Sequence, residues 1–164
     1  MLKTRLLHPG ILAALGEAGH GAQVLIADGN YPLATRSNAA AHHVFLNLAP
    51  GLVTVTDVLD VLVDTITIEA AHVMVPATGE EPSIFAEFRA LLPDTPLQVL
   101  GRVPFYDAAG GPDLVLAIST GEERIYANLL LTIGVVSPTE RAASSIRRTL
   151  PAAAWTTRTT GERA

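Results

Sequence analysis

Short, almost wholly apolar runs bounded by turn-forming residues constrain the fold of this chain more than any other feature of its sequence. The clearest run is Gln23–Ala27, which lies between Gly21 and Asp28. A continuous apolar run of this length is typical of a strand that is buried on both faces, as in a parallel sheet. Similar patterns predict further strands over residues 43–48, 65–75, 97–100, 114–118 and 126–133.

Helical patterns lie between these predicted strands. Ile11, Leu12 and Leu15 follow Pro9 at helical spacing, and Gly19 is suited to end that helix. The other predicted helices cover residues 58–63, 84–92 and, as a short helix or loop, 102–109. Strands that alternate with helices predict an α/β fold with three layers, in which a mostly parallel sheet is flanked by helices.

Composition excludes several classes of protein. With 49% hydrophobic and 16% charged residues, the chain is too apolar for intrinsic disorder. No stretch reaches the roughly 18 uninterrupted apolar residues of a membrane-spanning helix, and the first apolar run is too short for a signal peptide, so we expect a cytoplasmic protein without a membrane partner. A net charge of −5 argues against a nucleic-acid partner. The apolar surplus is expected to be buried in the fold or against other subunits.

Motifs for several chemistries are absent from the sequence. The chain has no cysteine, which excludes disulfides, thiolate zinc sites and a cysteine nucleophile. It has no Walker A motif, no G-x-S-x-G turn and no His-Glu-x-x-His pair. His42 and His43 are adjacent, so on a strand they face opposite sides. We therefore expect neither a metal nor a cofactor.

Polar residues at the ends of the predicted strands form the candidate site. Ligands of open α/β sheets bind beyond the carboxyl ends of the strands, which selects Asp28, Asn30, Arg102 and the loop at 120–124. His20, which follows the first helix, is expected beside them. Such a pocket suits a polyhydroxylated ligand and proton transfer. Ordinary structural roles stay open, such as an Asx turn at Asp28 or a cation at a helix end for His20.

Four segments, in order along the chain, carry a family resemblance. They are residues 17–21 (EAGHG), 27–32 (ADGNYP), 102–106 (RVPFY) and 120–131 (TGEERIYANLLL). Through them, residues 1–136 resemble the L-fucose mutarotase and D-ribose pyranase family, and residues 102–106 are closer to its fucose branch. Asn30 stands where that branch often has histidine, and residues 108–113 carry additional glycine and proline.

The resemblance implies the fold of that family and a metal-free isomerase that interconverts the anomers of a free sugar. It implies His20 as the proton donor. The residues that it implies for sugar binding are Asp28, Arg102, Tyr126 and Asn128, with Asn30 and Tyr106 as further candidates. It also implies a homo-oligomer, of which a decamer is one form. The alternatives are a D-ribose pyranase, a non-catalytic monosaccharide-binding protein and a metal-dependent sugar isomerase.

The composition changes near Pro138. Five of the eleven lysine and arginine residues lie in residues 139–164. We therefore expect a mutarotase domain over residues 1–138 and a basic C-terminal extension over 139–164 that is partly disordered.

Overall fold

The computed structural model describes residues 2–137, which form six strands and five helices. The expected basic extension lies outside these residues. The helices are α1 (Pro9–Glu17), α2 (Leu33–Arg36), α3 (Val55–Leu62), α4 (Phe85–Leu91) and α5 (Arg102–Ala109). The strands are β1 (Gln23–Ala27), β2 (His42–Phe45), β3 (Ile68–Val75), β4 (Leu97–Gly101), β5 (Leu114–Ser119) and β6 (Leu129–Ile133).

One mixed sheet contains all six strands in the order β2-β5-β1-β6-β3-β4. β5 is parallel to both β1 and β2, and β3 is parallel to β4. β6 lies between β1 and β3 and is antiparallel to both. Five strands therefore end at the same edge of the sheet, and β6 begins there, which confirms the predicted α/β fold with a mostly parallel sheet.

Both faces of the sheet are covered, as the apolar runs predict. Val24 and Ile26 of β1 belong to a core cluster with residues of α1, α3 and α4. Leu25 and Ala27 point to the other face and join a smaller cluster that contains Phe105 of α5. Residues alternate between the two faces of a strand, so full burial of β1 requires a layer on each side.

Local signals explain where α3 begins. Thr54 Oγ1 accepts a hydrogen bond from the Asp57 backbone N–H at 3.1 Å, and the Asp57 carboxylate accepts one from the Thr54 N–H at 2.9 Å. This reciprocal arrangement is a capping box.

Several bounds differ from the predictions. β2 spans His42–Phe45 instead of 43–48, β3 begins at Ile68 instead of residue 65, and the last strand begins at Leu129 instead of Tyr126. The short helix α2 was not predicted.

Two loops interlock at the edge where the five strands end. The Gly51 N–H donates to the Gly121 carbonyl at 2.7 Å, and the Gly121 N–H donates to the Val53 carbonyl at 2.8 Å. A Cβ atom at Gly121 would lie 2.3 Å from the Leu52 carbonyl oxygen and 2.4 Å from that of Ala49. Only glycine fits here, and the contact fixes the loop that leaves β5.

Within residues 2–137, no helix has the length and apolar character to cross a bilayer.

Candidate functional site

A cavity of about 250 Å³ opens at the edge where five strands end. Six of the residues that the sequence predicts for the site line it: Asp28, Asn30, Arg102, Tyr106, Tyr126 and Asn128. Tyr31, Met74 and Ile125 complete the lining. The volume is just below the roughly 300–1,000 Å³ of pockets for drug-sized ligands, so the cavity suits a smaller molecule.

Asp28 lies at the base of this cavity and is only 2% exposed. Its Oδ1 accepts from the Asn30 backbone N–H at 2.9 Å, which is an Asx turn, and its Oδ2 accepts from Asn128 Nδ2 at 2.9 Å. Burial raises the pKa of the Asp28 carboxyl, and these hydrogen bonds oppose the rise. Each carboxylate oxygen can accept a second hydrogen bond, so Asp28 can still bind a ligand hydroxyl.

Asn128 holds Asp28 at two points. Besides donating to the carboxylate, its Oδ1 accepts from the Asp28 backbone N–H at 3.0 Å. Asn128 is only 3% exposed, and it immediately precedes β6. Because β6 is antiparallel to β1, its first residues lie beside the end of β1. The side-chain amide is therefore committed to Asp28.

Tyr126 lines the cavity from a left-handed backbone conformation, with φ of 63°. This region is unfavourable for residues other than glycine, and residues held in it cluster at functional sites. Within residues 2–137, the Tyr126 side chain makes no hydrogen bond, so its hydroxyl is available to a ligand. The apolar pattern that predicted a strand here gives no sign of this turn.

The opposite wall comes from the start of α5. Arg102 is its first residue, and Tyr106 follows one turn later on the same face. Arg102 is exposed and forms no ion pair with any of the described residues, so its guanidinium can donate to a ligand. The Tyr106 ring contacts that of Tyr31, with centroids 5.5 Å apart. Burial raises the pKa of Tyr31, whose hydroxyl donates to the Arg36 carbonyl at 2.7 Å.

His20 does not lie beside Asp28, contrary to the expectation from the sequence. It precedes β1 whereas Asp28 follows it, and five residues of strand span about 16 Å. The neighbouring Gly21 N–H donates to Ile133 at the far end of β6. There the His20 side chain is 59% exposed, with Nε2 2.9 Å from Glu69 Oε2. Within one chain, the histidine and the cavity are therefore at opposite edges of the sheet.

The described residues offer no evident metal site. Among residues 2–137, no three His, Cys, Asp or Glu side chains come together in a way that could hold a metal ion. His42 pairs with Glu17, with 3.3 Å between Nε2 and Oε2, and His43 contacts Ser37 and Asn38 instead. Each of the two adjacent histidines therefore has a polar partner within the chain.

The loop at 120–124, which the sequence predicts for the candidate site, contains an ion pair that was not predicted. Glu122 is 4% exposed and forms a bidentate ion pair with Arg124. The sequence shows both residues only as members of a polar loop. Two charged residues so close in sequence usually lie in solvent, so no pattern in this sequence signals the burial of Glu122.

Relatives of known structure share this fold. RbsD of Bacillus subtilis, whose structure contains D-ribose, superposes with a TM-score of 0.73 over 84% of this chain and 100% of its own, at 24% identity. A fucose mutarotase of Streptococcus pneumoniae in complex with L-fucose superposes with a TM-score of 0.71 over 83% and 100%, at 27% identity. These neighbours confirm the α/β architecture.

Sequence comparisons agree with the structural ones. A D-ribose pyranase of Paracidovorax citrulli is 30% identical over 82% of this chain and 98% of its own. A fucose mutarotase of Bos taurus is also 30% identical, over 81% of this chain and 92% of its own. Since both kinds of relative are equally similar, the comparisons do not distinguish the fucose branch. The model of the RbsD / FucU transport protein family matches residues 1–136, and the chain belongs to this family.

Proposed function

We propose that this protein is a sugar mutarotase, an isomerase that interconverts the anomers of a free monosaccharide by acid–base ring opening. The observation that carries this proposal is a buried carboxylate, Asp28, which shares one small cavity with Arg102, Tyr106 and Tyr126. A carboxylate, a guanidinium and phenols match the hydroxyl-rich surface of a sugar. The mutarotases and pyranases among the relatives support the same activity.

Ring opening requires two coupled proton transfers. A base removes the proton of the anomeric hydroxyl, the bond between C1 and the ring oxygen breaks, and an acid protonates that oxygen. The product is the open aldehyde, and reversal on the other face of C1 gives the other anomer with no net gain or loss of protons. Such acid–base assistance is typically worth about 10²–10⁴-fold in rate.

The cavity residues can perform the binding part of this reaction and one of the proton transfers. The raised pKa of Asp28 makes its carboxylate a stronger base, so it can accept a sugar hydroxyl proton. Arg102 can donate to sugar oxygens at the mouth of the cavity. The Tyr126 hydroxyl can donate to an oxygen on which negative charge develops.

The proton donor requires a second subunit in this proposal. The family resemblance implies His20 as the donor, yet in its own chain His20 faces away from the cavity and contacts Glu69. We propose a homo-oligomer in which the His20 edge of one subunit meets the cavity edge of the next. A contact between two different surfaces closes into a ring when the rotation allows it. Large exposed apolar side chains at the cavity edge support such a contact: Leu48, Val103 and Ile125 are 85%, 62% and 65% exposed.

We propose L-fucose or a related monosaccharide as the substrate. The resemblance of residues 102–106 to the fucose branch favours fucose, and the pyranase relatives favour D-ribose as the second candidate. A cytoplasmic location remains a prediction from the sequence.

Anomer exchange measured by saturation-transfer NMR tests the activity. L-fucose, D-ribose, D-galactose and L-rhamnose are each compared with and without protein. We expect faster exchange for fucose, ribose or both, and loss of the acceleration in Asp28→Asn. The Arg89→Ala variant is a control, because Arg89 pairs with Glu81 at the surface. Binding of a sugar without any acceleration would instead indicate a non-catalytic binding protein.

Mixed oligomers test the sharing of His20. His20→Ala and Asp28→Asn are each expected to be inactive alone. Co-refolded in equal amounts, they regain about a quarter of the wild-type activity if each site takes its histidine from the neighbouring subunit. No recovery in oligomers shown to contain both variants would contradict a shared site.

A further inference from the structure

Glu122 is a buried carboxylate that the proposed reaction does not use. It lies in the loop of residues 120–128, which joins β5 to β6. Its Oε1 accepts from Nε of Arg124 at 2.8 Å, and its Oε2 accepts from Nη2 at 2.8 Å. A bidentate arginine–carboxylate pair is both strong and directional. The Arg124 guanidinium lowers the pKa of Glu122, so the pair is ionised at neutral pH.

This ion pair links the loop to two other elements. Arg124 Nη1 also donates to Oε1 of Glu87 in the first turn of α4. On the other side, the Gly29 N–H donates to the Glu122 carbonyl at 2.9 Å, directly after Asp28. The pair therefore connects α4 with the turn that carries Asp28.

The residues that follow the pair enter the cavity. Tyr126 stands two positions after Arg124 and has the unfavourable φ of 63°. The Tyr126 ring packs against the smaller apolar cluster, but its hydroxyl makes no hydrogen bond among the described residues. The direction in which the ring leaves the backbone is therefore set by the conformation of the backbone at Tyr126. That backbone is fixed after Tyr126 by the buried Asn128, which bonds to Asp28. Before Tyr126, the side-chain contacts that fix it are those of Arg124.

We propose that Glu122 and Arg124 are positioning residues, whose ion pair holds the backbone at Tyr126 in its left-handed conformation so that the phenol stays in the cavity. The consequence for catalysis depends on the proposed function, in which Tyr126 contacts the sugar. Since misplacement of a binding group by about 1 Å costs up to about 100-fold in rate, the pair controls activity without touching the substrate.

The first test compares Arg124→Ala with Arg89→Ala. Arg89 also forms a bidentate pair, with Glu81 at 2.8 and 2.6 Å, but both of these side chains are about half exposed and neither lines the cavity. Amide hydrogen exchange of residues 123–128 is measured together with kcat/KM for anomer exchange. In Arg124→Ala we expect exchange at least about 10-fold faster and kcat/KM about 10- to 100-fold lower. Values within twofold of Arg89→Ala for both would overturn the proposal.

A second test separates positioning from stability. Arg124→Ala leaves the buried Glu122 charge unpaired, which destabilises the fold. The double variant Glu122→Gln with Arg124→Ala removes that charge. Its melting temperature is therefore expected to lie closer to that of the wild type than to that of Arg124→Ala. Because the ion pair that holds the loop of residues 120–128 is still absent, kcat/KM is expected to stay low. Recovery of kcat/KM in step with melting temperature would show a structural role alone and overturn the proposal.

The two proposals fail in different ways. If the wild type accelerates no sugar, the proposed function fails, and hydrogen exchange at residues 123–128 still decides whether the pair orders Tyr126. If the wild type is active and Arg124→Ala retains both its activity and its slow exchange, only the positioning role fails.

Discussion

Replacement of Gly121 by alanine is expected to destabilise the protein by about 3–5 kcal/mol. The new Cβ would lie 2.3 and 2.4 Å from two backbone carbonyl oxygens, about 1 Å inside contact distance. Neither oxygen belongs to a flexible side chain, so whole loop segments must move apart. Overpacking of this kind costs typically about 1–3 kcal/mol. The shift also weakens the hydrogen bonds of Gly121 with Gly51 and Val53, each worth about 0.5–1.5 kcal/mol.

Urea denaturation of Gly121→Ala and of a matched glycine variant measures this cost. Gly16 lies near the end of α1, and a Cβ there meets nothing within 4 Å. Alanine is favoured over glycine in helices by roughly 0.5–1 kcal/mol, so Gly16→Ala is expected to be slightly more stable than the wild type. Equal protein concentrations are required, because assembly changes apparent stability. A loss below about 1 kcal/mol in Gly121→Ala would refute the steric argument.

Three further predictions concern stability. Thr54→Ala removes the hydroxyl that accepts from the Asp57 N–H in the capping box and is expected to cost about 1 kcal/mol in urea denaturation; an unchanged midpoint would contradict it. Phe88→Ala empties a fully buried position and is expected to cost about 3–5 kcal/mol, whereas the exposed Phe45 tolerates alanine far better. In the folded protein the pKa of Glu122 lies below its ordinary value of 4.5. The ionised carboxylate therefore stabilises the fold above pH 4.5, and this stabilisation is lost as the pH falls through the folded pKa. The stability difference between wild type and Glu122→Gln should therefore shrink in acid, and a difference that grows as pH falls would contradict this assignment.

The sequence predicts the layers of the fold well because burial leaves a direct trace in the apolar pattern. β1 has the predicted bounds, since a run of apolar residues between Gly21 and Asp28 has no other favourable environment. The direction of β6 was not predictable, because apolar periodicity is the same for a strand of either direction. α2 has only four residues, too few for a helical repeat to appear.

The candidate site is predictable to a lesser extent. Ligands of open α/β sheets bind beyond the carboxyl ends of the strands. This rule predicted that Asp28 and Arg102 lie in one site, and they line the same cavity because five strands share one direction. The same rule does not apply to His20, which follows a helix and stands at the start of a strand. The left-handed turn at Tyr126 and the burial of Glu122 depend on contacts with distant segments, which a single sequence does not display.

The central position of β6 affects the order in which the protein can fold during synthesis. β6 is the last strand of the described residues, yet it separates β1 from β3 in the sheet. Until residues 129–133 leave the ribosome, the sheet consists of two parallel groups, β2-β5-β1 and β3-β4, with no strand to join them. Tyr126 and Asn128 leave just before β6, so the cavity and the sheet are completed by the same event. A nascent chain that ends before Leu129 therefore has neither a continuous sheet nor a sugar cavity.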